Sequence, residues 1–340
     1  MQYLKIVIGI DISMESFTVR LGTLDSQLKQ YISKAFSFSN NLNGFKKLLS
    51  WIRKMSQEIK IPLDLEIQFV MEATGIYYEN LAYFLSEKEK FVSVILPNKI
   101  NNFGKTLDNK SKTDPIDAAI ITQFGLEKTL NRWEVPSPNF RRLKDLSREY
   151  QTILKTSTSI KNKLHAKEHS HNPVKETVKR MKDQLSLYDT QLKQIKTQIQ
   201  DLINQDDDLN SRITKIESIK GVGLMTVVSV IAETNGFAII NNAKQLTSYA
   251  GLDIVHRQSG TFKGKTTISK KGNKHLRRAV FMPALTACRC NEKLKEFYNN
   301  LVIRKRFKKI GLIAVARKLL LLIYTLWKNK CEYDPKYQCV

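Results

Sequence analysis

The first third of the chain alternates dense apolar runs with segments of helical spacing. β-Branched and aromatic residues are concentrated in runs that predict strands at 3–10, 16–25, 65–71 and 91–96. Residues 42–59 and 77–85 carry apolar side chains three and four positions apart, which predicts helices. Alternating strands and helices are typical of α/β domains, so we predict one α/β domain over residues 1–135.

The middle of the chain has a different pattern. Residues 141–212 repeat leucine and isoleucine at spacings of three and four in a background of lysine, serine, threonine and glutamine. A polar break at 165–173 divides this coiled-coil-like region into two long helices. They either fold back on each other or pair with a second chain, and we expect the region to make contacts between protomers.

Residues 213–335 are predicted to form a mainly helical third region. Near its start, Ile219-Lys220-Gly221-Val222-Gly223 precedes an apolar helix, which is the form of a helix-hairpin-helix. The backbone N–H groups of such a turn can hold a phosphate. A plain glycine turn between two helices is the alternative. An apolar tail at 312–327 is expected to pack on this region, and its longest apolar run, 319–327, is too short to span a bilayer.

The net charge narrows the choice of partner. The chain of 340 residues has 56 lysines and arginines against 32 acidic residues, a net charge of +24. Such a surplus on a folded chain points to a polyanion, and nucleic acid is favoured over a membrane surface because no basic amphipathic anchor is present. The four cysteines form no CxxC pair and the N-terminus shows no signal-peptide pattern, so we expect reduced thiols and a cytoplasmic location.

Four acidic residues stand where an α/β domain presents ligands. Asp11 and Glu72 end predicted strands, while Asp114 and Asp117 share the first turn of a predicted helix. Ligand sites in α/β sheets cluster at the ends of the strands, so the four side chains could converge. Carboxylates suit Mg²⁺ or Mn²⁺, and pairs of these cations promote in-line phosphodiester chemistry. Alternatively, Asp114 is an N-cap and Asp117 completes a capping box. The residues alone leave both interpretations open.

The strongest charge bias lies at 251–290, where nine cations oppose only Asp253. Ser259 lies there beside Gly260, and a small hydroxyl among cations is suited to be a nucleophile whose developing charge is stabilised. A solvated loop that only grips phosphate is the alternative. The predicted nucleic-acid-binding residues are Lys105, Lys110, Lys112, Lys220, Gly221, Gly223, Arg257, Lys263, Lys265, Lys270, Lys271, Lys274, Arg277 and Arg278.

Short motifs in both halves carry a family resemblance. They are Gly9-Ile-Asp11-Ile, Met71-Glu72-Ala-Thr-Gly75, Lys112-Thr-Asp114-Pro-Ile-Asp117, Gly221-Val-Gly223, Tyr249-Ala-Gly-Leu252, Gln258-Ser259-Gly260 and Ile268-Ser-Lys-Lys-Gly-Asn273. With them the chain resembles the transposases and site-specific recombinases of the insertion sequence 110 family, which includes the Piv-type DNA invertases. The resemblance covers nearly the whole chain. One departure is Asp253-Ile-Val, where many relatives have a proline.

The resemblance implies a mechanism. Residues 1–135 would be a RuvC-like domain of ribonuclease-H fold, with Asp11, Glu72, Asp114 and Asp117 as ligands of Mg²⁺ or Mn²⁺. The C-terminal transposase domain would supply a serine that is transiently linked to a DNA phosphate. Ser259 matches the family's position, and Ser269 is the competitor.

The resemblance also implies partners. The carboxylates of one protomer would meet the serine of another in a dimer or tetramer, and a structured guide RNA, the bridge RNA, would select the DNA target. Two other functions remain open. One is a RuvC-like junction nuclease that uses metal-activated water and no serine. The other is a non-catalytic nucleic-acid-binding protein.

Overall fold

The computed structural model of the protein describes residues 2–62, 65–107, 113–256, 258–264 and 266–334. The chain forms two compact units, Met1–Val135 and Pro136–Val340. The sequence interpretation divided the second of these into separate regions at 141–212 and 213–335. The structure groups them together, because the base of the long helical region and the C-terminal helices share one hydrophobic core.

The first unit is a mixed sheet with helices. Its strands are β1 (Tyr3–Ile12), β2 (Ser16–Asp25), β3 (Gln30–Ile32), β4 (Phe36–Ser39), β5 (Ile67–Glu72) and β6 (Phe91–Ile95). Its helices are α1 (Leu42–Glu58), α2 (Glu79–Glu87), α3 (Pro97–Gly104) and α4 (Asp114–Glu127). A 3₁₀ turn at Lys105–Leu107 directly follows α3. The α/β prediction and the four predicted strands are confirmed. Strands β3 and β4 were missed because they are too short to show a period of two.

The strand order is β3-β2-β1-β5-β6, and β4 also pairs with β2. Strands β1, β2 and β3 form an antiparallel meander, while β5 pairs parallel with β1 and β6 parallel with β5. Both faces of the sheet are covered, as central parallel strands require. Ile8 and Ile10 of β1 face the core that includes α1 and α2, and Val7 faces the core that includes α4.

Helix α4 crosses the sheet at very short range, over positions that have no side chain. A Cβ on Gly9 of β1 or Gly22 of β2 would collide with Thr122 of α4. A Cβ on Gly125 of α4 would lie 2.6 Å from a methyl group of Val7. Glycine is needed at these positions because the backbones approach too closely for any Cβ.

Polar contacts fix α4 in this position. The Thr122 hydroxyl is fully buried and donates to the carbonyl of Ala118 at 2.7 Å, with the carbonyl of Arg20 on β2 at 3.3 Å. At the other end of the helix, the ammonium of Lys5 donates to the carbonyls of Gly125 at 2.5 Å and Lys128 at 2.6 Å. A cation at a helix C-terminus also interacts favourably with the helix dipole.

The second unit is mainly helical. Its helices are α5 (Pro138–Glu168), α6 (Lys175–Asn204), α7 (Asp207–Glu217), α8 (Leu224–Glu233), α9 (Ala243–Ala250), α10 (Lys274–Cys290), α11 (Glu292–Lys305) and α12 (Lys308–Asn329). Four two-residue strands lie between α9 and α10: β7 (Ile254–Val255), β8 (Gln258–Ser259), β9 (Phe262–Lys263) and β10 (Thr267–Ile268). The prediction of a helical C-terminal region is therefore confirmed.

Helices α5 and α6 fold back on each other within the chain. Near their base, Leu143, Ile195 and Ile199 are buried in the shared core. Further out the seam consists of half-buried side chains such as Leu164 and Met181. The intrachain alternative is thus the observed one, and contacts between protomers remain a prediction.

Helix α12 is longer than the apolar run suggested. The run at 319–327 is by itself too short to span a bilayer, and it forms part of a 22-residue helix with an 18-residue window of mean hydropathy 1.8. Among the described residues this is the one helix long and apolar enough to cross a membrane. Half of that window is buried inside the protein, where α12 packs on α10 and α11. Buried core helices can be as long and apolar as this one.

Replacing Gly9 by alanine should lower the free energy of unfolding by roughly 1–3 kcal/mol, because the new methyl group would overlap the backbone of Thr122. Urea denaturation measures the change. Gly104→Ala is the control, since its Cβ would lie 3.3 Å from the flexible end of Ile120. In that variant we expect a change below about 1 kcal/mol, in either direction. Equal losses in the two variants would contradict the close crossing.

Candidate functional site

Asp11 and Glu72 lie next to each other at the carboxyl ends of two parallel strands. The register of β1 and β5 pairs Ile10 with Met71, so Asp11 and Glu72 follow one residue beyond. Side chains two residues apart on a strand share a face. Asp11 therefore shares its face with Gly9, and Glu72 with Val70, and both of these residues face α4.

The direction of α4 brings the other two acids to the same end. Gly125 lies over Val7 and Thr122 lies over Gly9, so α4 runs opposite to β1. Its first turn, with Asp114 and Asp117, therefore lies toward the end of β1 that carries Asp11. All four predicted acids occupy one end of one sheet face. Asp114 is exposed, and the other three are half-buried.

Helix α4 does not use Asp114 as its cap. Thr113 is the N-cap residue, its side chain caps nothing, and Asp114 is the first helical residue. The alternative in which Asp114 is the N-cap is therefore wrong. Both acids instead add negative charge to the first turn, where the helix dipole favours it.

The four acids are not packed into a finished ligand set. Across the described part of the chain, no three His, Cys, Asp or Glu side chains lie close enough together to hold one metal ion. The donor chemistry nevertheless fits a hard cation, because all four groups are carboxylates. Glu72 Oε1 accepts a hydrogen bond from the Thr74 hydroxyl at 2.9 Å, which orients this carboxylate.

An asparagine that the sequence interpretation missed ties together the loops next to these acids. The side-chain amide of Asn40 donates to the carbonyl of Ser13, after β1, at 2.9 Å and to that of Tyr77, after β5, at 3.1 Å. The loops that follow both acid-bearing strands are therefore held at a fixed separation.

In the second unit, the two hairpin glycines have different roles. Gly221 has φ +99°, and a Cβ there would lie 2.8 Å from the backbone of Ala287, so this glycine is required by packing. Gly223 is the N-cap of α8 and borders open space. Lys196 and Gln200 of α6 line the groove beside it, and Lys220 is exposed. Only Gly223 therefore leaves room for a phosphate to approach the backbone.

The segment that contains Ser259 forms a β-hairpin from two short strand pairs. At its base β7 pairs with β10, and at its tip β8 pairs with β9 across a two-residue turn at Gly260-Thr261. The Ser269 hydroxyl donates to a carboxylate oxygen of Asp253, and its N–H donates to the Asp253 carbonyl at 2.9 Å. Ser259 lies at the exposed tip, where a Cβ on Gly260 would meet no atom within 4 Å.

Two turns that contain glycine pack closely against each other next to this hairpin. Gly251 and Gly272 both have positive φ, and a Cβ on Gly272 would lie 2.7 Å from the nitrogen of Gly251. Arg277 donates to the carbonyls of Ala250 at 2.7 Å and Gly272 at 3.2 Å. The predicted nucleic-acid contact at Arg277 is therefore half-buried in a structural role, and burial lowers the pKa of its guanidinium.

A buried ion pair that the sequence interpretation missed holds this framework on α5. Glu233, at the end of α8, has a side chain only 1% exposed, and Arg148 donates to both of its oxygens, at 2.6 and 2.9 Å. Asn273 donates to Glu233 Oε2 at 2.7 Å and also caps α10. Glu233 is the one charge in the apolar run at 224–233, which was the available signal.

The electrostatics of this pair favour its ionised form. Burial alone would raise the pKa of Glu233, but hydrogen bonds from Arg148 and Asn273 and the charge of Arg148 outweigh it, so the pKa is lowered. For the neighbouring His275, burial disfavours the charged imidazolium and lowers the pKa of the side chain.

Most of the other predicted cations reach solvent. Lys105, Lys220, Lys270, Lys271, Lys274 and Arg278 are exposed. The predictions for Lys110, Lys112, Arg257, Lys265 and the side chain of Lys263 fall outside the described residues. Among the cysteines, Cys288, Cys290 and Cys331 are free thiols, as expected, and Cys339 is not among the described residues.

Comparison with protein families matches both units. Residues 8–173 match a family model for the DEDD type of IS110 protein, described as "Transposase". Residues 213–299 match a second model, described as "Transposase IS116/IS110/IS902 family". The chain belongs to the IS110 family of transposases. Family membership makes it a transposase or recombinase that acts on DNA, as the sequence motifs indicated.

Curated relatives extend this similarity to the full length. The pilin gene-inverting proteins of Moraxella bovis and Moraxella lacunata are each 28% identical to this chain over 346 aligned residues, covering 98% of both proteins. The insertion element IS110 43.6 kDa protein of Streptomyces coelicolor is 23% identical over 36% of this chain and 30% of its own length.

Arg148→Ala should lower the free energy of unfolding by about 2–4 kcal/mol, because it leaves the buried carboxylate of Glu233 without its cation. Thermal or urea unfolding measures the loss. The exposed pair of Arg132 and Glu66 is the control, since both side chains are 53% exposed. Arg132→Ala should cost less than about 1 kcal/mol.

The same pair predicts a pH dependence. Because the folded-state pKa of Glu233 lies below its ordinary value of 4.5, ionised Glu233 stabilises the fold above that pH. This stabilisation falls as the pH drops through the lowered pKa. The difference in stability between the native protein and Glu233→Gln should therefore shrink on acidification, and a constant difference would argue against the ion pair.

Proposed function

We propose that this IS110-family protein cuts and rejoins DNA strands with a metal-binding carboxylate site and a serine nucleophile. The observation that carries the proposal is the placement of Asp11, Glu72, Asp114 and Asp117 at one end of one sheet face. Carboxylates that share one end of a sheet face repel one another unless cations or protons lie between them.

The strand order supports a RuvC-like unit of ribonuclease-H fold. An antiparallel meander continued by two parallel strands is the arrangement expected of that fold. The four acids would hold Mg²⁺ or Mn²⁺, which stabilises charge on a phosphodiester undergoing in-line displacement. Mg²⁺ is commonly bound by one or two carboxylates together with substrate phosphates. This mode of coordination fits acids that share one end of a sheet without forming a complete ligand set among the described residues.

The contrast between the two serines favours Ser259 as nucleophile. Ser269 is half-buried, and its hydroxyl is committed to Asp253 at the base of the hairpin. Ser259 is exposed at the tip, beside a glycine that leaves room for a phosphate. Ser269 instead acts as a clamp that fixes the base of the hairpin on which Ser259 is carried.

The covalent step exchanges one phosphoester bond for another. Ser259 Oγ attacks phosphorus and passes its proton to a carboxylate, while the bond to the deoxyribose oxygen breaks and that oxygen takes up a proton from water. Rejoining reverses the step, with a strand hydroxyl as the attacking group. The full-length relatives are named for inverting a gene, which fits a reaction that rejoins what it cuts.

The carboxylate in this step has to come from outside the hairpin. Asp253, the one acid in the basic segment, is engaged with Ser269. We therefore propose that the acids of the first unit meet Ser259 across protomers of a dimer or tetramer, with the α5–α6 hairpin making protomer contacts.

The net charge of +24 supports a further nucleic acid besides the DNA substrate. We propose a structured guide RNA that selects the target, bound largely through its sugar–phosphate backbone. With DNA as substrate, the proposed site of action is the cytoplasm. Sequencing the RNA that copurifies with the native protein tests the guide, and recovery of only unrelated cellular RNA would count against it.

Ser259→Ala should abolish the covalent protein–DNA adduct on a plasmid that carries the gene with its flanking DNA, because no other hydroxyl replaces Oγ. Ser269→Ala is the matched control. It should still form adduct, although the free energy of unfolding falls by about 1–3 kcal/mol when Asp253 loses its hydrogen bond. Adduct formation by Ser259→Ala but not by Ser269→Ala would move the nucleophile to Ser269. If the native protein cuts the plasmid but forms no adduct, and neither substitution changes cutting, the junction nuclease is the better interpretation.

Asp117→Asn should reduce Mg²⁺-dependent strand exchange by roughly 10²-fold or more, because one metal ligand loses its charge. DNA affinity, measured by gel shift, should stay within about twofold. Unchanged exchange would contradict a metal-binding role for Asp117, whereas no Mg²⁺-dependent exchange in the native protein would favour the non-catalytic binding protein. Mixing Asp117→Asn with Ser259→Ala should restore exchange if the site is shared between protomers, and no restoration would place both groups on one chain.

A further inference from the structure

An exposed aromatic ring lies directly beside the exposed serine of the hairpin. Phe262 of β9 pairs with Ser259 of β8 in the antiparallel register. Residues directly opposite each other in such a pair project from the same face, with Cβ atoms about 4.5–5.5 Å apart. The Phe262 side chain is 65% exposed, so ring and hydroxyl are presented together at the tip of the hairpin.

The ring has no packing role in the second unit. Among the described residues, those that form or cover the hydrophobic core of this unit do not include Phe262. Ile268, at the base of the same hairpin, does pack against that core. An exposed phenylalanine leaves apolar surface in water, at a cost that a partner of matching chemistry would remove.

The turn between the two strands keeps the tip narrow. Gly260 has φ +54° at the first position of a two-residue loop, which is the conformation that a tight hairpin requires. A Cβ at this glycine would meet no atom within 4 Å. The backbone at Gly260 is therefore open to the approach of a polynucleotide strand.

The surrounding charge selects a nucleic acid over other apolar partners. Nine cations lie at 251–290 against one acid, and Lys270, Lys271, Lys274 and Arg278 among them are exposed. An exposed ring in a segment rich in cations matches a strand whose phosphates are anionic and whose bases offer flat apolar faces. Base–aromatic stacking of this kind is sequence-tolerant, because every base has a π face.

We propose that Phe262 is a positioning residue that stacks on a nucleobase of the DNA strand whose phosphate lies at Ser259. The stacked ring holds the base, and the base in turn fixes the phosphate relative to Oγ. The catalytic consequence rests on the function proposed for Ser259, whereas the stacking contact can be tested without any catalysis.

Photo-crosslinking tests the contact. The probe is a 20-nucleotide oligodeoxythymidine that carries 5-iododeoxyuridine at every fourth position and crosslinks to rings stacked on it. Trypsin, cutting after Arg257 and Lys263, releases the peptide 258–263, in which Phe262 is the one aromatic residue. We expect crosslinked probe on this peptide in the full-length protein, with the label at Phe262.

Variants decide whether the ring is responsible. Phe262→Ala should lower the crosslink yield on this peptide at least about fivefold, Phe262→Leu should do the same, and Phe262→Trp should retain the crosslink. Phe307→Ala is the control, because Phe307 is also 65% exposed and flanked by cations, and it should leave the yield on this peptide unchanged. An unchanged thermal unfolding midpoint verifies folding.

The outcomes separate this proposal from the serine mechanism. Ser259→Ala should crosslink like the native protein, and this result supports the contact even if the covalent adduct proves independent of Ser259. An absent crosslink on peptide 258–263, or an unchanged yield in Phe262→Leu, overturns the stacking contact. A crosslink that moves to another aromatic residue also overturns it, because the probe base then stacks on that residue and not on Phe262.

Discussion

The close contact between α4 and the sheet determines the geometry of the acidic end. Gly9, Gly22 and Gly125 remove the side chains that would separate the helix from β1 and β2, and the buried hydroxyl of Thr122 bonds at the crossing. Because interiors pack at solid density, a helix seated this closely has little freedom to slide or rotate. Its first turn, with Asp114 and Asp117, therefore keeps a fixed relation to Asp11 and Glu72. A site built on such rigid elements needs little further support from loops.

In the second unit, a buried charge fixes the relative positions of several elements. Glu233 would be costly in an apolar core, but Arg148 and Asn273 satisfy its oxygens. This one carboxylate connects α5, the end of α8 and the start of α10, and the glycine turns beneath the serine hairpin attach to the same frame. An ion pair with fixed geometry specifies one arrangement of these elements more strictly than apolar contacts would, because only one orientation satisfies both oxygens.

The sequence predicted the α/β and helical regions and indicated the four acids and Ser259 as candidate site residues, because each has a local signature. Strand ends, a Pro-containing helix start and a glycine beside a serine are all visible at short range. What it missed is long-range. Arg148 and Glu233 are 85 residues apart, and the role of Gly9 as the seat of Thr122 requires knowledge of which helix covers β1. The N-cap of α4 was misplaced by one residue, since Thr113 and Asp114 are both good capping residues and only the backbone distinguishes them.

The proposed function divides the chemistry between the two units in a way that suits strand exchange. The acids of the first unit bring negative charge to a place where cations and phosphates have to meet. The serine hairpin of the second unit brings a hydroxyl among cations, with its one local acid already used as a clamp. In the proposed mechanism the nucleophile comes from the second unit and the activating base from the first, so DNA would not be cut before the protomers assemble. A recombinase gains from this separation, because a strand that is cut only in the assembled complex is cut where its new partner is already in place.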